Sequence, residues 1–348
     1  MDHALPADRA QRRSTVAALR PALDRTHDPW RAHGIAIDDE PDEKGQVVRA
    51  ATVFLTGGEC PWQCVMCDLW QYTTTTPTPP GAIAAQVATA MQDISARGGA
   101  DHIKLYNAGS FFDPRAVPDA DVPAVVDATR GASRVIVESH PALIGERTSR
   151  LIDHLHAIRP GASAPILEVA MGLETAHPEA LRSLDKGLTV DQFHRAADRL
   201  RTLGAGLRVF LLVHPPFVPV ADRDDWLARS IDEAIAAGAD VISLIPTRTG
   251  NGVMDRLAAE GAFTPPDLTD LEGALAVALA RPRPARTRIL ADLWDASRLP
   301  GCAVCGPARI ERLRQVNLTQ RLAPLPACDA CVRQTSSGHA SLPREHRN

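Results

Sequence analysis

Three thiols within eight residues are the first feature of this sequence that suggests chemistry. Cys60, Cys64 and Cys67 stand in the run Cys60-Pro-Trp-Gln-Cys64-Val-Met-Cys67-Asp-Leu-Trp70. Thiolates are the normal protein ligands of iron–sulfur clusters. Four would saturate a [4Fe–4S] cubane, whereas three leave one iron open to a ligand from outside the protein. The residues alone also admit a zinc site completed by a distant histidine, or three cysteines that share no task.

The remaining four cysteines form a second group, Cys302-Ala-Val-Cys305 and Cys328-Asp-Ala-Cys331, two CxxC pairs with 22 residues between them. Such paired knuckles suit tetrahedral metal binding. A zinc ion is favoured by the short knuckles with Gly or Pro nearby, and an auxiliary [4Fe–4S] cluster is the alternative. All seven cysteines fall into these two groups, and an odd total is awkward for a disulfide framework. Between the knuckles, Arg309, Arg312, Arg314 and Arg321 face a single Glu311. That basic run suits contact with RNA phosphates, or else forms an ordinary solvated helix face.

Positioning these groups takes a scaffold of alternating strands and helices. Strands are expected at Val48 to Leu55, Asp101 to Tyr106, Arg134 to Glu138, Ile166 to Met171, Leu207 to Val213 and Asp240 to Ile245, with a last short one at Arg288 to Leu293. Helical stretches separate them, with apolar residues at helical spacing as in Thr189 to Leu203. Consecutive strand–helix units imply parallel strands joined by right-handed crossovers. The fold class is therefore α/β, a partial (β/α)6 barrel of the TIM type with a small C-terminal metal-binding appendage built on four cysteines. Functional loops belong at the C-terminal ends of its strands, and the first cysteine loop follows the first strand. The expected division is a polar N-terminal extension over 1–45 (a helix and a loose connection), a barrel core over 46–293, and a metal-binding segment with a polar tail over 294–348.

A CxxxCxxC loop in that place resembles the signature of the radical S-adenosylmethionine (SAM) superfamily. Further segments narrow the likeness: Phe54-Leu-Thr-Gly-Gly-Glu-Cys60, Gly109-Ser-Phe-Phe-Asp113-Pro, Val137-Glu138-Ser-His, Gly172-Leu-Glu174-Thr and His214-Pro-Pro-Phe217, in that order. Together they resemble the radical SAM subunit of archaeal archaeosine synthase and, more distantly, the elongator-type radical SAM proteins, over roughly Val48 to Asp292. The resemblance implies a [4Fe–4S] cluster on Cys60, Cys64 and Cys67 whose open iron chelates SAM. Reductive cleavage then yields a 5′-deoxyadenosyl radical. It implies an electron donor such as ferredoxin or flavodoxin, and a nucleoside or tRNA base as substrate, since the archaeal relative acts on a modified deazaguanine in tRNA. Met66 stands before the third cysteine, where the superfamily often has an aromatic residue near adenine.

Candidate SAM contacts follow from strand position. Gly109 and Ser110 lie just after the second expected strand, where Asn107-Ala-Gly-Ser110 replaces the superfamily's Gly-Gly-Glu. Glu138 ends the third strand and Glu174 follows the fourth, so each suits an ammonium or ribose hydroxyls, or a surface salt bridge. Glu168 lies inside an apolar strand, where an unpaired carboxylate is costly. It either serves the site or pairs with an arginine such as Arg208. His214 contacts SAM or substrate, or is structural. Competing functions are radical chemistry on a small metabolite or peptide, and a non-catalytic iron–sulfur or zinc protein that binds nucleic acid. The formal net charge of −4 argues against a uniformly basic nucleic-acid binder. No apolar run approaches the length needed to span a bilayer, and Met1 to Arg25 lacks an apolar export signal, so a cytoplasmic location is expected.

Overall fold

The protein was analysed as a computed structural model that describes residues 5–23, 26–161 and 164–332. Eight strands form one sheet in the order of the sequence: β1 (Gly34–Pro41), β2 (Val47–Leu55), β3 (His102–Asn107), β4 (Arg134–Glu138), β5 (Ile166–Glu174), β6 (Gly206–Val213), β7 (Val241–Pro246) and β8 (Arg288–Ala291). From β2 to β8 every pairing is parallel. The crossovers carry α2 (Ala82–Ala96), α3 (Val122–Ala128), α4 (Glu146–Ile158), α5 (Pro178–Ser183), α6 (Val190–Thr202), α7 (Arg223–Ala236), α8 (Val253–Ala259) and α9 (Leu268–Ala280). The partial α/β barrel expected from the sequence is therefore present, with the sheet curled until it is nearly closed. Among the described residues, no helix is long and apolar enough to cross a membrane.

One side of each strand packs under the helices. Val53, Ile103, Leu105, Val135, Val137, Val169, Val209, Leu211, Ile242 and Leu244 are all buried in one core with the inward faces of the helices. In α6, Thr189 and Gln192 cap each other's backbone, and Phe193, Ala196, Ala197 and Leu200 supply the apolar stripe. The alternate strand residues line the barrel interior. Thr52 stands beside Lys104 and Phe54 beside Tyr106, while Ile136 stands beside Glu168 and Ala170 beside Arg208. This register stacks the interior in layers.

The lowest layer, at the N-terminal ends of the strands, is ionic. Glu168 accepts from Arg208 Nε at 2.7 Å and Arg134 Nη1 at 3.1 Å. Glu40 pairs with Arg208 at 2.9 Å and with Lys104, and Glu43 pairs with Arg134 at 2.9 Å. Burial alone would raise the Glu168 carboxyl, but Arg208 and Arg134 outweigh it and hold it below the usual range. Glu168 thus pairs with Arg208, the second of its two expected roles. Above this layer sit the aromatic rings of Tyr106 and Phe210, 6.0 Å apart and edge to face.

β1 corrects the expectation of a loose connection before residue 46. It runs antiparallel to β2, from Gly34 opposite Phe54 to Pro41 opposite Val47. Only Ile35 and Ile37 pack against the core, and the acidic run Asp38-Asp39-Glu40 disguises the strand. That run has a purpose, because the hairpin end delivers Glu40 and Glu43 into the barrel floor. The helix expected in this N-terminal stretch is α1 (Arg9–Leu19).

The remaining edge, β8, is covered by α10 (Gly306–Thr319), which contacts both β1 and β8. Asn317 bonds the N–H and C=O of Ala291 at 2.8 and 2.9 Å, and Gln320 does the same to Ile289 at 2.7 and 2.8 Å. Two side-chain amides thereby satisfy the backbone of an edge strand that would otherwise stay open.

Candidate active site at the barrel mouth

The first cysteine loop follows β2 and lies across the C-terminal mouth of the barrel. Hydrogen bonds and packing hold it from several sides. Val65 N–H donates to Leu184 O at 2.9 Å, and Cys67 N–H closes a turn onto Cys64 O at 3.1 Å. The buried Asn251, in the loop after β7, donates to Val65 O and Cys67 O at 2.8 and 3.1 Å. Trp62 stacks on His140 with centroids 3.7 Å apart and planes within 10°. From above, α1 ties down the neighbouring segment: Arg9 and Arg13 reach Asp185 at 2.7 and 3.2 Å, and Val16 shares an apolar cluster with Val65 and Met66.

Desolvation dominates the electrostatics of this loop. Burial pushes the Cys60 thiol up to about 11 and the Cys64 thiol up to about 12, and raises Cys67 well above the ordinary range. Without a cation these sulfurs keep their protons, and a metal centre that takes them as thiolates must supply the charge. Lys186 contributes part of it, lowering both Cys60 and Cys64. Its ammonium pairs with Glu174 at 2.5 Å. The pair needs Gly172, because a Cβ there would collide with both Glu174 and Lys186.

Glu138 ends β4 as expected, with no ion pair or side-chain hydrogen bond among the described residues. Burial pushes its carboxyl up to about 7, with Lys186 pulling down and Glu174 pushing up. Asn107, at the end of β3, is buried, and neither of its amide atoms has a partner among the described residues. Beside it, Gly109 has no room for a side chain, since a Cβ would stand 2.7 Å from Ala116 Cβ and 2.9 Å from Gly58 O. An orphaned amide, a carboxyl without a counter-ion and three thiols short of positive charge suit a cationic cofactor complex with amino and carboxylate groups. The residues present fit that group.

Ser110 is buried with its hydroxyl accepting from the N–H of His140, whose ring stacks on Trp62, at 3.0 Å, and Met66 joins the apolar cluster of Val65, Val253, Met254 and Leu257. His214 stands between α7 and α9, 3.2 Å from Arg223 and 3.5 Å from Asp270. Glu174, His214 and Phe217 all have left-handed backbones, with φ of 68°, 55° and 70°. Strain of this kind in non-glycine residues gathers where the surroundings over-determine the chain. Lys186 and Asn251 escaped the sequence reading, because each is a lone polar residue in a loop with no motif around it. Across the mouth, Trp294 is 56% exposed beside Phe54, with ring centroids 4.6 Å apart. Arg248 lies near it, 3.1 Å from Asp295 and 3.6 Å from Asp292.

The second cysteine group is a separate site at the barrel rim, where Cys302, Cys305, Cys328 and Cys331 bring their sulfurs within 4.8 Å of one another. Of the basic run between the knuckles, Arg309 and Arg312 both engage Glu272 of α9, and Arg314 pairs with Glu311. The first two therefore dock α10 onto the barrel.

No family model matches the chain. Archaeosine synthase subunit beta of Methanosarcina acetivorans is 27% identical over 297 residues, covering 82% of this chain and 83% of the relative. The protein of the same name from Thermococcus kodakarensis is 27% identical over 214 residues, 58% of this chain and 62% of the relative. Among solved structures, Elp3 of Methanocaldococcus infernus lacking its N-terminus matches with a TM-score of 0.48 at 14% identity, over 77% of this chain and 63% of that one. Methylornithine synthase matches with a TM-score of 0.49 at 14% identity, over 77% and 69%. The chain is thus similar to archaeosine synthase beta subunits, as its motifs suggest.

Proposed function

From that similarity and the chemistry of the barrel mouth, we propose that this chain is a radical SAM enzyme that modifies a nucleoside, within tRNA or derived from it. Cys60, Cys64 and Cys67 would hold a [4Fe–4S] cluster. When bound and reduced by a donor of the ferredoxin or flavodoxin kind, the cluster would supply reductive cleavage of SAM to a 5′-deoxyadenosyl radical. The observation that carries the reading is the polar set around the cysteine loop: Asn107, whose amide has no partner among the described residues, Glu138, which feels Lys186 but makes no ion pair among them, and buried thiols beside Lys186.

Each residue has a task that follows from its surroundings. Lys186 offsets the negative charge that thiolates bring into a desolvated loop, and Glu174 fixes the lysine in place. Glu138, poised near neutrality, ionises against a cationic ligand and then pairs with it. Asn107 offers a donor and an acceptor to amino and carboxylate groups, and Gly109 lets the chain beside it pack close against Ala116 and Gly58. Gly109, Ser110, Glu138 and Glu174 remain the SAM-side candidates, with Met66 at the loop's apolar flank. On the far side, exposed Trp294 offers a face on which a base can stack, and such stacking contributes about 1–3 kcal/mol per base. The relatives are named as subunits, so a partner chain belongs to the proposal.

The test is formation of 5′-deoxyadenosine by anaerobically reconstituted protein with SAM and dithionite, beside Cys64→Ala. Production by the wild type and none by the variant is expected. Equal rates in both, or a cluster-loaded wild type that neither binds nor cleaves SAM, would overturn the reading.

A further inference from the structure

The second cysteine group has a geometry that decides what it binds. Cys302 Sγ lies 3.9 Å from Cys328 Sγ, and Cys305 Sγ lies 3.6 Å from Cys331 Sγ. All four sulfurs fall within 4.8 Å of one another, and no other cluster of three or more such ligands among the described residues is as tight. Four sulfurs at a zinc–sulfur distance of about 2.3 Å in a tetrahedron stand about 3.8 Å apart. A cubane instead puts each thiolate on its own iron, so two sulfide-bridged irons separate every pair of thiolates and drive them beyond sulfur–sulfur contact. We propose that Cys302, Cys305, Cys328 and Cys331 hold one tetrahedral zinc ion, not an auxiliary iron–sulfur cluster, and that this ion ties residues 321–332 to the helix sealing the barrel.

The second half of the proposal rests on what else holds that segment. Cys305 is buried at the N-terminus of α10, and Gly306 N–H closes the first knuckle on Cys302 O at 2.7 Å. The helix itself is anchored by Leu313 and Val316 in the core and by Asn317 and Gln320 on β8. In the returning chain Leu322 and Leu325 are exposed, and Arg312, which also pairs with Glu272, donates to Ala323 O and Pro324 O at 2.7 and 3.0 Å. Four shared thiolates are the strongest link that segment can make. A single closed ion there is structural, and it leaves electron transfer to the first loop alone.

The proposal is independent of the reading of the first loop, and its test keeps the two apart. A full-length variant with Cys60, Cys64 and Cys67 all changed to Ala, purified without added metal, is expected to carry about one zinc per chain and no acid-labile sulfide. Cobalt exchanged into the same variant should give the visible absorption of a tetrahedral thiolate site. If that variant does not fold, the wild type decides: one zinc with about four iron per chain supports the proposal, and about eight iron without zinc overturns it. In the folded variant, four iron with four sulfide, or iron without sulfide in place of zinc, overturns it. So does a Cys302→Ser/Cys328→Ser double variant that keeps its zinc. Loss of SAM cleavage in the first variant bears on the other loop only.

Discussion

The two ends of one barrel treat buried polar groups in opposite ways, and the same strands supply both. At the floor, the carboxylates of Glu40, Glu43 and Glu168 interleave with Lys104, Arg134, Arg208 and Arg288. Arg134 Nε and Arg288 Nη2 make no hydrogen bond, yet each belongs to a guanidinium near a carboxylate. At the mouth, β3 ends in Asn107, whose amide has no partner among the described residues, and β4 ends in Glu138, which feels Lys186 but forms no ion pair among them. On β5, Glu168 low in the barrel is matched by two arginines, while Glu174 at the mouth sits in a strained conformation and shares its lysine with the cysteine loop. A charge met by protein is spent on the fold, and a charge left unmet is available to a ligand. That contrast supports the proposed site at the mouth without appeal to any motif.

The comparison breaks most readily at Glu168. Removing one partner from a buried ionic network leaves the others uncompensated and typically costs about 3–5 kcal/mol. Glu168→Ala is expected to lower stability by about that much in denaturant unfolding, stranding Arg208 and Arg134. Glu138→Gln at the mouth should cost far less. Its raised carboxyl also sets a pH signature. An acid whose pKa is higher in the folded state makes folding less favourable as pH climbs from the unfolded value toward about 7. That component of the pH profile should vanish in Glu138→Gln. Equal destabilisation by the two substitutions would show that the mouth is as much a part of the fold as the floor.

Much of the scaffold was legible because its signals are local. Runs such as Arg134 to Glu138 and Leu207 to Val213 are β-branched or apolar, bounded by turn residues, and the structure has them as β4 and β6 within a residue. β1 was not legible, since two isoleucines followed by three acids look like a solvated linker until the acids find a barrel floor. The cysteine loops were visible through spacing alone. What surrounds them was not: Lys186 lies 119 positions beyond Cys67, and Asn251 lies 184 beyond it, so only the closed barrel brings them to one place. The basic run of α10 misleads for the same reason. Arg309 and Arg312 look unpaired in sequence, and their partner Glu272 lies on another helix.

Asn251 gives a second, smaller way to sharpen the comparison. Its amide donates to two carbonyls of the cysteine loop, and its side-chain oxygen accepts from Met254 N–H at 2.7 Å, starting α8. Losing a buried hydrogen-bonding group leaves its partners unsatisfied at a cost of about 1–3 kcal/mol. Asn251→Ala should therefore destabilise the chain modestly, less than Glu168→Ala, while cutting iron retention on the first loop more sharply. Zinc at the second cysteine group should be untouched. A variant that loses both metals together would mean that the mouth and the rim form one cooperative unit.

The finest effect expected is in binding itself. With Glu138 at about 7 in the ligand-free protein, a cationic ligand favours the ionised carboxylate and must displace a proton at lower pH. SAM affinity, measured by calorimetry on cluster-loaded protein, should rise as pH increases from 6 to 8 and level off above it. The limit is about tenfold per pH unit, because a single proton is released. Glu138→Gln should bind SAM more weakly at pH 8, and this carboxylate's part of the slope should disappear. The floor supplies the control, since Glu168 is held ionised by its arginines across the same range and Glu168→Gln has no reason to change the slope. If Glu168→Gln flattened the profile and Glu138→Gln did not, the two ends of the barrel would have to exchange the roles assigned to them.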